Sequence, residues 1–120
     1  MPEAILVVDD QPELRLLIRL TLQTVGRVAV AGSSEEMRAR IAADRPRVMV
    51  LDVSLGHENG LEICRALKDD PATRDIRILL LSAFVQEADM AAGRAAGADG
   101  YMAKPFAPRE LQEAVAKLLD

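Results

Sequence analysis

The sequence predicts an α/β protein in which a doubly wound, five-stranded parallel sheet is flanked by five helices. Short apolar runs alternate along the chain with segments of helical periodicity, which is typical of repeated βα units with right-handed crossovers. The third apolar run, Val48 to Asp52, lies between Pro46 and Gly56, and these boundaries favour a short strand buried on both faces. A chain of 120 residues is expected to form one domain, residues 1–120.

The predicted strands share aliphatic, often β-branched side chains. They are Ile5 to Val8, Val28 to Ala31, Val48 to Leu51, Ile78 to Leu81 and, with a weaker pattern, Tyr101 to Ala103. All of these runs are far shorter than the roughly 18 apolar residues needed to span a bilayer. We therefore expect no association with a membrane.

The first helix is expected to begin near Pro12, because proline is favoured at the first helical position, and to end before Gly26. Its predicted core stripe is Leu14, Leu17, Ile18, Thr21 and Val25. Leu16 and Leu20 lie outside that stripe, where they either pack loosely against neighbouring elements or form a patch that docks a partner.

The other helices are marked by capping residues, by glycine or by proline at their ends. The second follows a capping box of Ser33 and Glu36 and buries Met37 and Ile41, and the third runs from Gly60 to Lys68. The fourth runs from Gln86 to Ala96 with Gly97 as its C-cap, and the fifth begins at Pro108 and buries Leu111, Val115 and Leu118.

A net charge of -4 and an isoelectric point near 5.0 give the chain no long-range attraction to nucleic acid or to anionic membranes. Cationic surfaces on partner proteins suit this charge better. The single cysteine, Cys64, excludes an internal disulfide and fits a reducing compartment. We expect a cytoplasmic protein that does not contact nucleic acid directly.

Polar residues stand where the predicted strands end: Asp9, Asp10, Asp52, Ser82 and Lys104. In a doubly wound sheet these ends meet in one crevice. Three carboxylates together raise one another's pKa unless a cation compensates, and hard oxygen ligands suit Mg²⁺. Neighbouring residues of a regular strand point to opposite faces, so both members of the acidic pair reach the crevice only if the strand ends there.

These residues, in this order, resemble the receiver domain of two-component response regulators over essentially the whole chain. The resemblance is carried by Asp9-Asp10, Asp52 with Gly60 eight residues later, Ser82-Ala83, and Lys104-Pro105-Phe106 preceded by Tyr101. It implies a flavodoxin-like fold with strand order 2-1-3-4-5. It also implies a phosphorylated signalling module that catalyses its own modification and slow dephosphorylation, and not a turnover enzyme.

The resemblance gives each acidic residue a role. Asp52 matches the phosphoacceptor, since an aspartate carboxylate can carry a phosphoryl group as an acyl phosphate. Asp10 and Asp52 would ligate Mg²⁺ directly, with Mn²⁺ as a substitute, Asp9 would act through water, and the backbone carbonyl of Ser54 would supply another ligand.

Three further residues would hold and sense the phosphoryl group. Lys104 would pair with its oxygens, and the peptide bond from Lys104 to Pro105 resembles a cis bond of the family. The hydroxyl of Ser82 would hydrogen-bond to another oxygen, and its movement would let Tyr101 turn inward. That movement would remodel the face formed by the fourth helix, fifth strand and fifth helix.

Departures from the family pattern lie around this site. Gly56 stands where proline is usual, which predicts a more mobile loop. Phe84 is apolar where polar residues are common, while Ser54 holds the other position near the path of the attacking water. We expect Phe84 to shield the phosphoryl group and lengthen its lifetime. The small side chain of Ala83 is expected to leave access for a phosphodonor.

The expected donor is a sensor histidine kinase or a histidine phosphotransfer protein, and the output is a partner protein or an output domain outside this sequence. The cognate kinase, the pathway and homodimer formation stay open. Two other functions are alternatives. A phosphohydrolase with an aspartate nucleophile would need a second acid two residues after Asp52, where Ser54 stands. A constitutive interaction module without phosphoryl transfer would not need the complete set of site residues.

Overall fold

The computed structural model describes residues 3–120. Five strands and five helices alternate along the chain, as the apolar pattern predicts. They are β1 (Ala4–Val8), α1 (Pro12–Leu22), β2 (Arg27–Ala31), α2 (Ser34–Ala43), β3 (Val48–Asp52), α3 (Gly60–Asp69), β4 (Arg77–Ser82), α4 (Glu87–Ala95), β5 (Gly100–Ala103) and α5 (Pro108–Leu119).

The five strands form one parallel sheet in the order β2-β1-β3-β4-β5. This order confirms the predicted doubly wound fold. The strand order reverses between β1 and β3, where the chain continues on the opposite side of β1. In such a sheet the crevice for ligands lies at the carboxyl ends of the strands beside this reversal.

Successive side chains of each strand point to opposite faces of the sheet, so each strand supplies two separate cores. On one face Ile5 and Val7 of β1 pack with Ile18 and Leu22 of α1 and with α5. On the other face Leu6 of β1 lies in a core with residues of α2 and α3 and with Ala96, which follows α4. Because both faces are covered, almost every residue of the central strands is apolar.

The strand bounds differ from the predicted ones by one residue at most. A short antiparallel hairpin, Ser54–Leu55 with Glu58–Asn59, was not predicted and lies between β3 and α3. Gly56 turns it with a φ of 59°, a backbone conformation that glycine adopts without steric cost.

The buried face of α1 differs from the predicted stripe. Ile18, Thr21 and Leu22 are buried, whereas Leu17 is 49% exposed and the helix ends before Val25. The sheet covers only the side of the helix centred on Ile18, so Leu17 lies on its flank. Leu16 and Leu20 are also about half exposed, and their docking role stays a prediction.

The capping of α2 differs in one bond from the predicted box. Ser33 Oγ accepts from the Glu36 amide as expected, but Glu36 Oε1 accepts from the Gly32 amide. Met37 is fully buried, as predicted. Within residues 3–120, no helix is both long enough and apolar enough to cross a bilayer.

Candidate functional site

Three carboxylates meet at the carboxyl end of the sheet. Asp9 and Asp10 follow β1 and Asp52 ends β3, and one oxygen from each lies within 4.8 Å of the others. Asp9 and Asp52 are only 1% and 3% exposed, whereas Asp10 is exposed. The acidic pair reaches one crevice because β1 stops at Val8, which releases the backbone from the alternation of a strand.

Lys104 supplies the positive charge of this cluster. Its Nζ lies 2.8 Å from Asp52 Oδ2 and 3.8 Å from Asp9 Oδ2. The Lys104 amide donates to the Ser82 carbonyl at 2.9 Å, so the lysine continues the pairing of β4 with β5. The bond from Lys104 to Pro105 is cis, as the resemblance implies.

The two buried carboxylates are oriented by amides two residues later in the chain. Asp9 Oδ1 accepts from the Gln11 amide at 2.9 Å, and Asp52 Oδ1 accepts from the Ser54 amide at 3.0 Å. Because these local bonds hold Oδ1, the Oδ2 atom of each carboxylate faces Lys104. Among the described residues 3–120, Asp9 Oδ2 is the buried side-chain oxygen without a hydrogen-bond partner.

Burial raises the pKa of Asp9 from its ordinary value of 3.8 to about 6. The amide of Gln11 opposes this rise, the negative charge of Asp52 adds to it, and the positive charge of Lys104 opposes it. The rise therefore comes first from burial of the Asp9 carboxyl, and the charges of its neighbours contribute less.

The donor set fits a divalent cation that prefers hard oxygen ligands. Mg²⁺ binds through few protein carboxylates and keeps several waters, which suits a cluster with two buried acids and one exposed acid. A cation at this place would also compensate Asp9 Oδ2, which has no hydrogen-bond donor. Asp9, Asp10 and Asp52 are therefore the residues that would hold it.

Gly60 brings α3 close to the strand that carries Asp52. Its amide donates to the Val53 carbonyl at 2.7 Å, and an added Cβ would lie 2.7 Å from Val53 Cα. The same Cβ would overlap the Asp52 carbonyl oxygen. A side chain at this position would therefore push α3 away from the end of β3, which explains the glycine eight residues after Asp52.

A chain of hydrogen bonds leads from Ser82 to Tyr101. Ser82 Oγ accepts from the Phe84 amide at 2.9 Å, and the Tyr101 hydroxyl donates to the Phe84 carbonyl at 2.7 Å. The half-buried ring of Tyr101 packs against α4, where an added Cβ on Gly93 would lie 2.7 Å from the ring. Tyr101 therefore joins the loop after β4 to α4.

Ala83 lies on the wall of a groove of about 400 Å³ beside Lys104. The other lining residues are Leu14, Leu17, Pro105 and Phe106. Phe84 is 61% exposed, and its shielding of a phosphoryl group stays a prediction. Ser54 is exposed at the start of the hairpin.

Arg15 contacts the site, although the sequence pattern does not mark it as a site residue. Arg15 Nη1 donates to the Asp9 carbonyl at 3.0 Å, across six residues of sequence. An arginine on an amphipathic helix has the same sequence pattern whether it faces solvent or a loop. The contact could be recognised only once the course of the chain after β1 was known.

The family model described as the response regulator receiver domain matches residues 5–116. Response regulator MprA of Mycolicibacterium vanbaalenii is 42% identical over 120 residues, which are 99% of this chain and 51% of that protein. The phosphate regulon transcriptional regulatory protein PhoB of Pseudomonas aeruginosa is 36% identical over 110 residues, 91% of this chain and 48% of that protein. The chain thus spans about half the length of these curated relatives.

Solved structures agree with this match. The BeF3-activated receiver domain of DrrB superposes with a TM-score of 0.89 at 33% identity, covering 99% of this chain and 98% of that one. The chemotaxis response regulator CheY4 of Vibrio cholerae gives 0.90 at 27% identity, covering 98% of this chain and 99% of that one. Since the family model covers nearly the whole sequence and the relatives share its fold throughout, the chain belongs to the response regulator receiver domain family.

Proposed function

We propose that this domain accepts a phosphoryl group on Asp52 from a histidine kinase or a histidine phosphotransfer protein. The observation that carries the proposal is the contact between Asp52 Oδ2 and Lys104 Nζ at 2.8 Å, beside the carboxylates of Asp9 and Asp10. The arrangement offers a nucleophilic oxygen, a cation for phosphoryl oxygens and ligands for a metal in one crevice. Phosphoryl transfer depends mainly on such positioning and charge compensation.

In the proposed step an Asp52 carboxylate oxygen attacks the phosphorus atom. The new P–O bond forms as the P–N bond of the donor phosphohistidine breaks, and the imidazole leaves with the bonding electrons. Lys104 then exchanges its contact with the carboxylate for contacts with phosphoryl oxygens. The Ser82 hydroxyl, 2% exposed at the end of β4, supplies a further hydrogen bond.

Asp9, Asp10, Asp52 and the Ser54 carbonyl would hold Mg²⁺, with Mn²⁺ as a substitute. The metal, when bound, neutralises charge that builds up on the transferring phosphoryl group. The Asp9 oxygen without a hydrogen-bond donor supports this assignment because a nearby cation would compensate its burial. The Gln11 and Ser54 amides keep the two buried carboxylates in fixed orientations for that purpose.

The proposed signal travels through contacts that begin at the new phosphoryl group. Ser82 is bonded to the amide of Phe84, and the carbonyl of Phe84 is bonded to Tyr101. If Ser82 Oγ turns toward a phosphoryl oxygen, the Phe84 amide loses its acceptor and the loop after β4 shifts. Tyr101 then moves against α4, which remodels the α4–β5–α5 face for a partner or an output domain.

A receiver role has further consequences for the domain. Residues 1–120 act as one receiver domain, modify themselves and lose the phosphoryl group slowly, without acting as a turnover enzyme. A cytoplasmic location fits the single cysteine, Cys64, whose buried thiol is free. Self-association through the α4–β5–α5 face is one form of output, and direct binding to nucleic acid is not expected at a net charge of -4.

The test is intact mass after incubation with acetyl phosphate and Mg²⁺. Wild-type protein should gain one phosphoryl group, and the gain should vanish with a chelator or in Asp52→Asn. Asp75→Asn, which removes a carboxylate whose side chain is 86% exposed, should behave as wild type. If neither acetyl phosphate nor a panel of purified histidine kinases labels the wild type, or if Asp52→Asn is labelled equally, the proposal is wrong.

A further inference from the structure

The carbonyl of Asp9 lies where β1 leaves the sheet. The amide of Asp9 still pairs with β2 by donating to the Ala31 carbonyl at 3.0 Å. Its carbonyl instead accepts from Arg15 Nη1 at 3.0 Å. A side chain from α1 therefore replaces the strand partner at the residue where the backbone turns.

This replacement determines where the two acids of the site point. In a continuing strand the side chains of Asp9 and Asp10 would lie on opposite faces. Because the strand stops, both carboxylates lie within 4.8 Å of Asp52. The donor from Arg15 is a charged guanidinium, and charge-assisted hydrogen bonds are stronger than neutral ones, so this bond favours the conformation in which the strand stops at Asp9.

Gly32 provides the space that Arg15 occupies. A Cβ added to Gly32 would lie 2.5 Å from Arg15 Nη1, so any other residue would displace the guanidinium group. The same Cβ would be 3.8 Å from Glu36 Oε1, an ordinary contact distance. The bond from the Gly32 amide to Glu36 Oε1 also involves only the backbone of Gly32, so an alanine there can keep it.

We propose that Arg15 is a positioning residue for the metal site and that Gly32 leaves room for its guanidinium group. The proposal rests on the Mg²⁺ site described under the proposed function. Arg15 acts through the backbone of Asp9 and contacts neither metal nor phosphoryl group. Groups that orient metal ligands in this indirect way contribute about 10–100-fold to metal affinity.

Three variants separate this role from general effects of charge and packing. Arg15→Ala removes the donor. Gly32→Ala displaces the guanidinium group but keeps every residue of α1, so it carries the test if Arg15→Ala fails to fold. Arg19→Ala is the matched control because it removes the same charge from an exposed position one turn further along the helix.

The measurement is the dissociation constant for Mg²⁺ in chelator-treated buffer, from calorimetry and from the rise of the thermal midpoint with Mg²⁺ concentration. Arg15→Ala and Gly32→Ala should each weaken Mg²⁺ binding about tenfold. The double variant should lose no more than Arg15→Ala alone, since both changes remove one interaction. Arg19→Ala should stay within about twofold of wild type. Labelling by acetyl phosphate should recover at saturating Mg²⁺.

Folded variants that bind Mg²⁺ as tightly as wild type would overturn the proposal, even if their stability fell, because Arg15 would then be only structural. Additive losses in the double variant would overturn the role of Gly32. Failure of the proposed function looks different: wild-type protein itself would not bind Mg²⁺, and the assignment of Arg15 would fall with it.

Discussion

Replacing Asp9 with asparagine is expected to stabilise the metal-free protein at neutral pH. Asp9 is 1% exposed, and its pKa is raised from 3.8 to about 6, first because of burial. Asparagine keeps an oxygen that can accept from the Gln11 amide and places a neutral amide where Oδ2 lies. The substitution therefore removes a buried charge while keeping the shape of the side chain.

The sign of the effect follows from the order in which Asp9 loses its proton. Below about pH 4 the carboxyl is protonated in folded and unfolded chains, so its ionisation does not lower the free energy of unfolding. Between about pH 4 and 6 the unfolded chain releases the proton first, so stability falls as pH rises. The loss is complete above about pH 6 and, at about 1.4 kcal/mol per unit of pKa, amounts to about 3 kcal/mol.

The assay is urea and thermal unfolding of wild type and Asp9→Asn with a chelator present, at several values from pH 4.5 to 8. We expect the variant to be more stable by about 3 kcal/mol at pH 7.5, with a thermal midpoint on the order of 10 °C higher, and by much less at pH 4.5. Added Mg²⁺ should stabilise the wild type and narrow the difference, since a divalent cation favours the charged carboxylate.

The exposed Asp75 serves as the control, and Asp75→Asn should change stability little at any pH. A variant of Asp9 no more stable than wild type at pH 7.5 would refute the view that burial of this charge is costly. An equal gain at pH 4.5 and 7.5 would show that the gain does not come from ionisation.

Three further changes test other contacts. Lys68→Met should lower the free energy of unfolding by about 1–3 kcal/mol, because Lys68 Nζ donates to two carbonyls and pairs with Asp99 at 2.8 Å. The exposed Lys117→Met is the control, and a loss in Lys68→Met no larger than in this control would contradict the prediction. Tyr101→Phe should lower the free energy of unfolding by about 0.5–1.5 kcal/mol, measured by thermal unfolding, because the hydrogen bond to the Phe84 carbonyl is lost. Amide hydrogen exchange in the loop after β4 should become faster, and an unchanged exchange rate would contradict the link between Tyr101 and this loop. Phe84→Glu should shorten the lifetime of phosphorylated protein, measured as loss of label, and a slower or unchanged loss would refute the shielding hypothesis.

Much of the fold could be read from local patterns. The strand bounds match the prediction within one residue because short aliphatic runs between turn residues have few other uses. The Ser33 cap and Gly97, which has a φ of 92° after α4, likewise follow from residue type. The buried face of α1 could not be predicted in this way, because it depends on how the helix packs against the sheet.

The sequence by itself determined the order of the elements and the polar residues at the strand ends, because both depend on neighbours in the chain. The meeting of Lys104 with Asp52 follows from the predicted strand order. The tertiary structure alone decided two other contacts: Arg15 with the carbonyl of Asp9, and Tyr101 with the carbonyl of Phe84. A side chain carries no local mark of a partner far away in the sequence. Only the packing of α1 on the sheet brings Arg15 to the Asp9 carbonyl, and only the course of the loop after β4 brings the Phe84 carbonyl to the Tyr101 hydroxyl.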